Sequence, residues 1–416
     1  MAKYIVEGGR RLSGEVDIHG AKNAVLPILA ATLLVGKSTI LNSPSLSDVS
    51  AACAILRHLG CAVTMEDGCI SVISDELVSG TIPENLMREM RSSIVFLGAI
   101  IARCGQARVS MPGGCELGPR PIDLHLSALE KLGVKIEEDH GYLNCTVPER
   151  LRGASIILDF PSVGATENIM LAACTAQGNT VIHNPAREPE IIDLANFLQK
   201  AGAKIYIGEN GAIYIQGVDK LNSLEHSVIP DRIEAATYLC CAAITGGEVL
   251  VKKAKPGHMT SLFPILEEAG CKLRISGSAI HLSAPSRPKA PKLVRTMPYP
   301  GFPTDAQSPL MALCCIAEGS TLFVENIFEN RYKHVGELAR MGAKIQVEGR
   351  VAVVEGVKKL HGAKLVCTDL RGGAALCLAA LASCGESEIR DIYHIERGYQ
   401  DFDKNLKALG AAITKA

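Results

Sequence analysis

A short apolar helix ending at a glycine recurs six times along the chain: "LRHLGCAV", "LEKLGVKI", "LQKAGAKI", "LEEAGCKL", "LARMGAKI" and "LKALGAAI". Its glycines, Gly60, Gly133, Gly202, Gly270, Gly342 and Gly410, lie 73, 69, 68, 72 and 68 residues apart. A second series interleaves with it. Gly36, Gly105, Gly178, Gly246, Gly319 and Gly385 each follow a long apolar run and open an alternating segment, as in "GNTVIHN" and "GSTLFVE". Glycine just past the last apolar turn is a helix stop, and alternation with period two is the mark of a half-buried strand. One unit therefore reads strand, long helix, Gly, strand, loop, second helix, Gly, then one or two strands. A period this regular signals pseudo-symmetric units stacked on one another. Six such units exceed one core, and 416 residues favour two domains. Three plus three is the simplest division, with the break near "LEHSVIPDRIEAA".

Composition narrows the function classes. The apolar fraction of 47% suffices for large cores, while a net charge of −1 gives no broad attraction for nucleic acid or an anionic membrane. There is no Trp and only 4% aromatic residue, so stacking platforms for bases are not expected. "MAKYIVEGGR" reads as no secretory signal. "NAVLPILAATLLVG" stops short of the ~18 apolar residues that a membrane span needs. Fifteen cysteines without a signal point to a reducing cytoplasm. Cys174, Cys240, Cys241, Cys314 and Cys315 lie in apolar helical runs and read as small buried hydrophobes. No CxxC pair has zinc spacing, so no metal is assigned. A monomer is expected, because no sustained heptad or long exposed apolar stripe is evident.

The repeat lets the chain serve as its own alignment. Structure should be shared by all six units, and function should show where one departs. Fourteen residues before each strand-opening glycine stand Lys22, Arg91, Gly164, Arg232, Asp305 and Arg371. Each lies where a strand runs into its long helix. The free N–H groups and partial positive charge there disfavour a cation, so Lys22 and Arg91 suggest anion sites. A single such residue would read as a solvated turn; four of six positions argue for more. Asp305, in "GFPTDAQSP", is either an ordinary helix cap or a carboxylate set among cations and available as a base. Basic residues also precede the second helices: Arg120 and Arg397 stand thirteen residues before their glycines, Arg331 eleven and Arg187 fifteen. Pro121 suits a first helical position, and Ile122, Leu126, Leu129 and Leu132 form the packed face that follows. Only the second unit inserts "PGGCELG" into this loop. Cys115 is then either a surface cysteine of no consequence or a reactive thiol, flanked by backbone freedom and positive charge.

Taken together, "GAKNAVLPILAA" with Lys22 and Asn23, "MRSSI" with Arg91, "PGGCELGPRPIDLHL", "SVGATEN", "FPTD", "DLRGGAAL" with Asp369, and "IERGYQ" resemble the UDP-N-acetylglucosamine 1-carboxyvinyltransferases of the enolpyruvyl transferase family. The resemblance spans the whole chain. It implies an α/β fold of two inside-out α/β barrel domains, each of three pseudo-symmetric repeats, with the active site in the interdomain cleft. Residues 22–228 would form the domain carrying a Cys115 lid loop, and residues 1–21 with 229–416 a second, discontinuous domain.

The implied reaction moves the enolpyruvyl group of phosphoenolpyruvate to the 3'-hydroxyl of UDP-N-acetylglucosamine, opening peptidoglycan synthesis, with no cofactor. By resemblance, Cys115 is the general acid and the site of a covalent phosphoenolpyruvate adduct, and the epoxide antibiotic fosfomycin is expected to alkylate it. Lys22, Asn23, Arg120 and Arg397 would hold phosphoenolpyruvate. Asp305 would take or orient the hydroxyl proton, with Asp369 a partner in proton transfer. Arg91, Arg120, Pro121, Ile122, Asp123, Leu124, Pro161, Ser162, Val163, Gly164, Asp305 and Ile327 would line the nucleotide-sugar site, and Arg331 and Arg371 would extend the cationic cleft. Two departures stand out. Phe160 occupies a position where some members carry Lys, and glycines fill "RGGAA" where others have bulkier or hydroxyl residues. His125 is expected either to be structural or to support the site from behind the residues that touch substrate. Three rivals remain: the sister enzyme acting on shikimate 3-phosphate, a silent nucleotide-sugar sensor, and a Cys–His hydrolase.

Overall fold

The computed structural model describes residues 2–111 and 122–416, and at Arg91 the backbone alone. The described chain divides into two units, one within residues 20–229 and the other formed by residues 2–19 and 230–416.

Each unit contains three four-stranded sheets of one topology. In the third repeat Ser155–Ile157 pairs in parallel with Asn179–His183, which pairs antiparallel with Ile213–Gln216, which in turn pairs with Lys204–Ile207. A parallel pair cannot be closed by a tight turn. The long helix Val163–Ala173 is the connection here, and an apolar helical run links the parallel pair in the same way in the second, fifth and sixth repeats. Three repeats take a strand from elsewhere in the chain. Leu224–Ser227 pairs in parallel with Lys37–Leu41 and completes the first repeat. Ser13–Asp17 pairs in parallel with Glu248–Lys252, and Lys3–Glu7 lies between Glu386–Arg390 and Ala412–Lys415. The N-terminal strands thus belong to the sheets of the chain's second half.

The long helices are apolar on all sides and are stable only inside. In Lys22–Ala31 every residue but Asn23 is buried, and in Arg232–Thr245 everything from Ile233 to Ile244. The sheets alternate instead, with one face inward and one in water, as in Val351–Glu355. Helices within and sheets without give the inside-out layering, and each unit has its own continuous apolar core.

The glycine series now has a cause. Gly60, Gly133, Gly202, Gly270, Gly342 and Gly410 have φ of 107°, 96°, 102°, 90°, 92° and 93°, a region closed to most side chains. Gly36 differs from the rest of its own series in lacking a positive φ. A Cβ there would come 2.8 Å from the Asp75 carboxylate. The helical cysteines behave as expected: burial pushes the thiols of Cys174 and Cys314 up to about 12, so they are not nucleophiles. Among the described residues no helix is long and apolar enough to cross a membrane.

Candidate active site

The repeat position fourteen before each glycine falls at a helix start. Lys22 and Arg232 open their helices, while Gly164, Asp305 and Arg371 are the second residues of Val163–Ala173, Thr304–Cys314 and Leu370–Ala382. Arg91 opens a five-residue 3₁₀ segment, Arg91–Val95, that leads into the helix Phe96–Cys104. The sequence reading therefore placed these residues at equivalent points of the scaffold.

In the unit formed by residues 2–19 and 230–416, the position is occupied by groups that meet. The two Asp305 carboxylate oxygens accept from different guanidiniums, Oδ1 from Arg331 Nη2 at 3.0 Å and Oδ2 from Arg371 Nη2 at 3.3 Å. Both arginine side chains are almost fully enclosed, whereas Asp305 keeps 28% of its side chain exposed. The same Arg331 Nη2 donates to the Thr304 carbonyl at 2.9 Å. Asp305 is therefore not a cap: Pro303 occupies the cap position, and no side chain closes that helix start. Arg331 and Arg371 turn inward to fix the aspartate, rather than standing as free cations. Arg371 also lies over the Tyr399 ring, 5.2 Å from its centroid.

Asp369 does cap its helix, Oδ1 accepting from Arg371 N at 3.1 Å and Gly372 N at 2.9 Å. Its second oxygen lies close over Gly372, where a Cβ would come 2.5 Å from Oδ2. The glycine that departs from the resemblance thus gives Asp369 room. Arg397 is half-buried at the end of the short helix Tyr393–Glu396. Ile327 is half-buried beyond the strand Ser320–Val324.

In the unit of residues 20–229, Lys22 is buried and its Nζ lies 3.2 Å from Asp48 Oδ2, at the start of the helix Ser47–His58. Asn23 beside it is half-buried. Pro161, Ser162, Val163 and Gly164 are half-buried at a helix start that Ser162 caps by accepting from Ala165 N. Ile122 is buried, Asp123 exposed and Leu124 half-buried at the start of Asp123–Lys131. His125 is structural: its Nδ1 lies 2.7 Å from Asn168 Nδ2, and burial pushes its imidazole down to about 4, so it is neutral. A Cβ on Gly164 would come 2.9 Å from His125 Cε1, which explains the one uncharged member of the repeat position. Phe160 is exposed, so it offers a surface ring where some family members carry Lys.

Cys115, Arg120 and Pro121 lie outside the described residues, as does the Arg91 side chain. Sequence reasoning missed Asp48, Asn168 and Glu325. A depression of about 850 Å³ in the same unit, among Gly36, Gly105, Arg150 and Asp219, includes none of the site residues. Gly36 and Gly105 follow the C-terminal ends of the core helices, whereas Lys22 and Ser162 stand at the starts.

Comparison with known proteins gives a consistent answer. The family model described as EPSP synthase (3-phosphoshikimate 1-carboxyvinyltransferase) matches residues 6–406. A protein of Caldanaerobacter subterraneus subsp. tengcongensis named UDP-N-acetylglucosamine 1-carboxyvinyltransferase 2 is 52% identical over the full length of both chains. One of the same name from Carboxydothermus hydrogenoformans is 48% identical over 100% of this chain and 99% of its own. Among solved structures, the enolpyruvyl transferase NikO from Streptomyces tendae superposes with a TM-score of 0.91 at 26% identity, covering 100% of this chain and 99% of that one. EPSP synthase from Acinetobacter baumannii has the same fold, with a TM-score of 0.75 at 18% identity and the same coverage. With a family model spanning nearly its whole length and full-length relatives at about half identity, this chain belongs to the EPSP synthase family of enolpyruvyl transferases.

Proposed function

We propose that this protein transfers the enolpyruvyl group of phosphoenolpyruvate to the 3'-hydroxyl of UDP-N-acetylglucosamine and releases phosphate, the first committed step of peptidoglycan synthesis. The observation that carries the reading is full-length identity of 48–52% to relatives named for that reaction. The motif "PGGCELGPRP" supports it, since no other repeat of the chain has a counterpart.

The chemistry is an addition followed by an elimination. A proton goes to the methylene carbon of phosphoenolpyruvate while the sugar hydroxyl adds to C2 and gives up its own proton. The tetrahedral ketal then loses a methyl proton and phosphate, restoring the double bond. Such a path needs an acid, an acceptor for the hydroxyl proton, and cations for phosphate and carboxylate. Cys115 is the proposed acid. Lys22, Arg120 and Arg397, with Asn23, are the proposed phosphoenolpyruvate ligands; arginine binds such groups bidentately, lysine as a point charge. Asp305 is partly exposed with both oxygens oriented by arginines, which holds a carboxylate at the surface in position to meet a substrate hydroxyl. Asp369, anchored through Oδ1, is the proposed second participant in proton transfer. Arg91, the run from Arg120 to Leu124, Pro161 to Gly164, and Ile327 complete the nucleotide-sugar contacts. Activity in the cytoplasm, with cell shape and division depending on it, follows from the same reading.

The sister reaction on shikimate 3-phosphate is the second reading, because the family model bears that name. Phosphate release from phosphoenolpyruvate, measured with each acceptor in turn, separates the two. Release with the nucleotide sugar alone is expected. Release only with shikimate 3-phosphate would move the protein to the sister activity, and tight nucleotide-sugar binding without release would make it a sensor. Fosfomycin should block the reaction and add its mass to the peptide containing Cys115; modification elsewhere with Cys115 untouched would remove the thiol from this mechanism.

A further inference from the structure

The strand Ser320–Val324 ends at Glu325, a carboxylate with no exposed surface that none of the chemistry above uses. Its Oε1 accepts from Ile327 N at 2.8 Å and Phe328 N at 3.0 Å, and its Oε2 accepts from Thr304 Oγ1 at 3.1 Å. Ile327 and Phe328 lie outside any helix or strand, so their N–H groups have no ladder to satisfy them and need such an acceptor. Thr304 opens the helix whose second residue is Asp305. Further contacts close the circuit. The Phe328 ring lies under Arg331, whose Cζ is 5.7 Å from the ring centroid, and Arg331 Nη2 binds both the Thr304 carbonyl and Asp305 Oδ1.

We propose that Glu325 is a positioning residue for the acceptor substrate: one buried carboxylate fixes the Ile327–Phe328 turn and the start of the Asp305 helix in a single arrangement. The inference rests on the functional reading in which Ile327 and Asp305 meet the acceptor. A buried carboxylate is costly unless fully hydrogen-bonded. A purely structural role would need only that the strand end be tied down. The observed bonds instead run to the two segments that carry proposed acceptor contacts, and none runs to the segments that carry Lys22 or Arg397.

The distinction is measurable in a split of kinetic constants. The full-length enzyme and its Glu325→Ala and Glu325→Gln variants are assayed for phosphate release, with KM determined separately for phosphoenolpyruvate and for the acceptor. Glu325→Ala should raise the acceptor KM about tenfold and lower kcat, leaving the phosphoenolpyruvate KM within about twofold. Glu325→Gln should restore most of the loss, because its amide oxygen can still accept from both N–H groups. Thr304→Val, which removes one arm only, should give the same split at about two- to threefold, and it serves where the alanine variant does not fold. Equal changes in both KM values, or a fall in rate that merely tracks the folded fraction, would overturn the proposal. The unmutated enzyme decides the functional reading separately. Whichever acceptor it uses is the one against which the split is read, and if it turns over neither, calorimetric affinity for UDP-N-acetylglucosamine replaces KM.

Discussion

The two units share one scaffold and differ in what stands at its helix starts. Residues 20–229 carry 16 Lys and Arg against 22 Asp and Glu, a net of −6; residues 1–19 and 230–416 carry 27 against 22, a net of +5. In the acidic half the equivalent positions hold Lys22, Arg91 and Gly164, and the third is packed over by a neutral histidine. In the basic half they hold Arg232, Asp305 and Arg371, and the second and third bind each other. The same threefold frame is thus broken by a steric device on one side and by a charged one on the other. A repeat supplies equivalent points in space, and chemistry begins where the points are filled differently.

The largest effect should come from the charged device. Asp305→Asn keeps the shape of the side chain and removes the charge. The substitution should lower kcat by about 10²- to 10⁴-fold, the range of a lost proton-handling group. It also leaves two enclosed guanidiniums without their anion, which should cost up to about 3–5 kcal/mol of stability, less in proportion to the part of Asp305 that faces water. Steady-state rates and urea melts of the purified variant give the two numbers. Near wild-type turnover would show that the carboxylate neither accepts nor orients the hydroxyl proton.

The next effect compares the halves directly. Each contains a buried histidine held neutral because burial opposes its charge, His125 in the acidic half and His334 in the basic half, both pushed down to about 4. For such a group the unfolded chain takes up the proton first, near pH 6.5. The stabilisation is complete above that pH and is lost as the pH falls from about 6.5 through 4. For His125 the loss should be about 3 kcal/mol, from a separation of two to three pH units. Denaturant melts across that range should flatten in a His125→Gln variant. An unchanged slope would mean that other groups carry the acid sensitivity. His334 should contribute in the same direction, with Arg331 reinforcing burial and Asp369 opposing it.

How far these devices were legible follows from what a repeat can and cannot encode. Gly60 and its five equivalents were legible because a left-handed residue after a helix accepts almost nothing else. The helix-start positions were legible because they recur at one offset. Asp305 was legible as a carboxylate among cations, although an ordinary cap remained open until Pro303 was seen at that position. The partners were not legible. Lys22 meets Asp48 within one repeat, but Asp305 meets Arg371 from the next, and Gly98 N donates to Asn168 Oδ1 from the next at 2.6 Å. Offsets within a unit say nothing about which side chains face each other across units. Arg331 and Arg371 show the same limit. Sequence put Arg371 at a helix start and Arg331 in the turn before one, but could not show that long side chains would turn inward to a carboxylate. Glu325, at a strand end with no charge pattern around it, gave no signal.

The smallest effect tests the steric device. An alanine near the start of a helix is ordinarily better than glycine by up to about 1 kcal/mol. Gly164→Ala should go the other way. Its new Cβ would lie 2.9 Å from His125 Cε1 and 3.2 Å from Nε2, and the ring cannot easily retreat because Asn168 pins its other nitrogen at 2.7 Å. Overpacking of this kind costs about 1–3 kcal/mol. His125→Ala alone should also destabilise, by leaving a cavity and taking from the Asn168 amide one of its partners, while Ile94 O and Gly98 N remain. The two changes together should cost less than their sum, because the smaller residue removes the clash. A double-mutant cycle of melting free energies gives the coupling directly. A favourable coupling of about 1 kcal/mol or more would make His125 the reason that this repeat alone has no side chain at the position. Additive effects, or a Gly164→Ala variant more stable than the parent, would return the glycine to an ordinary choice of backbone and leave the asymmetry between the halves resting on charge alone.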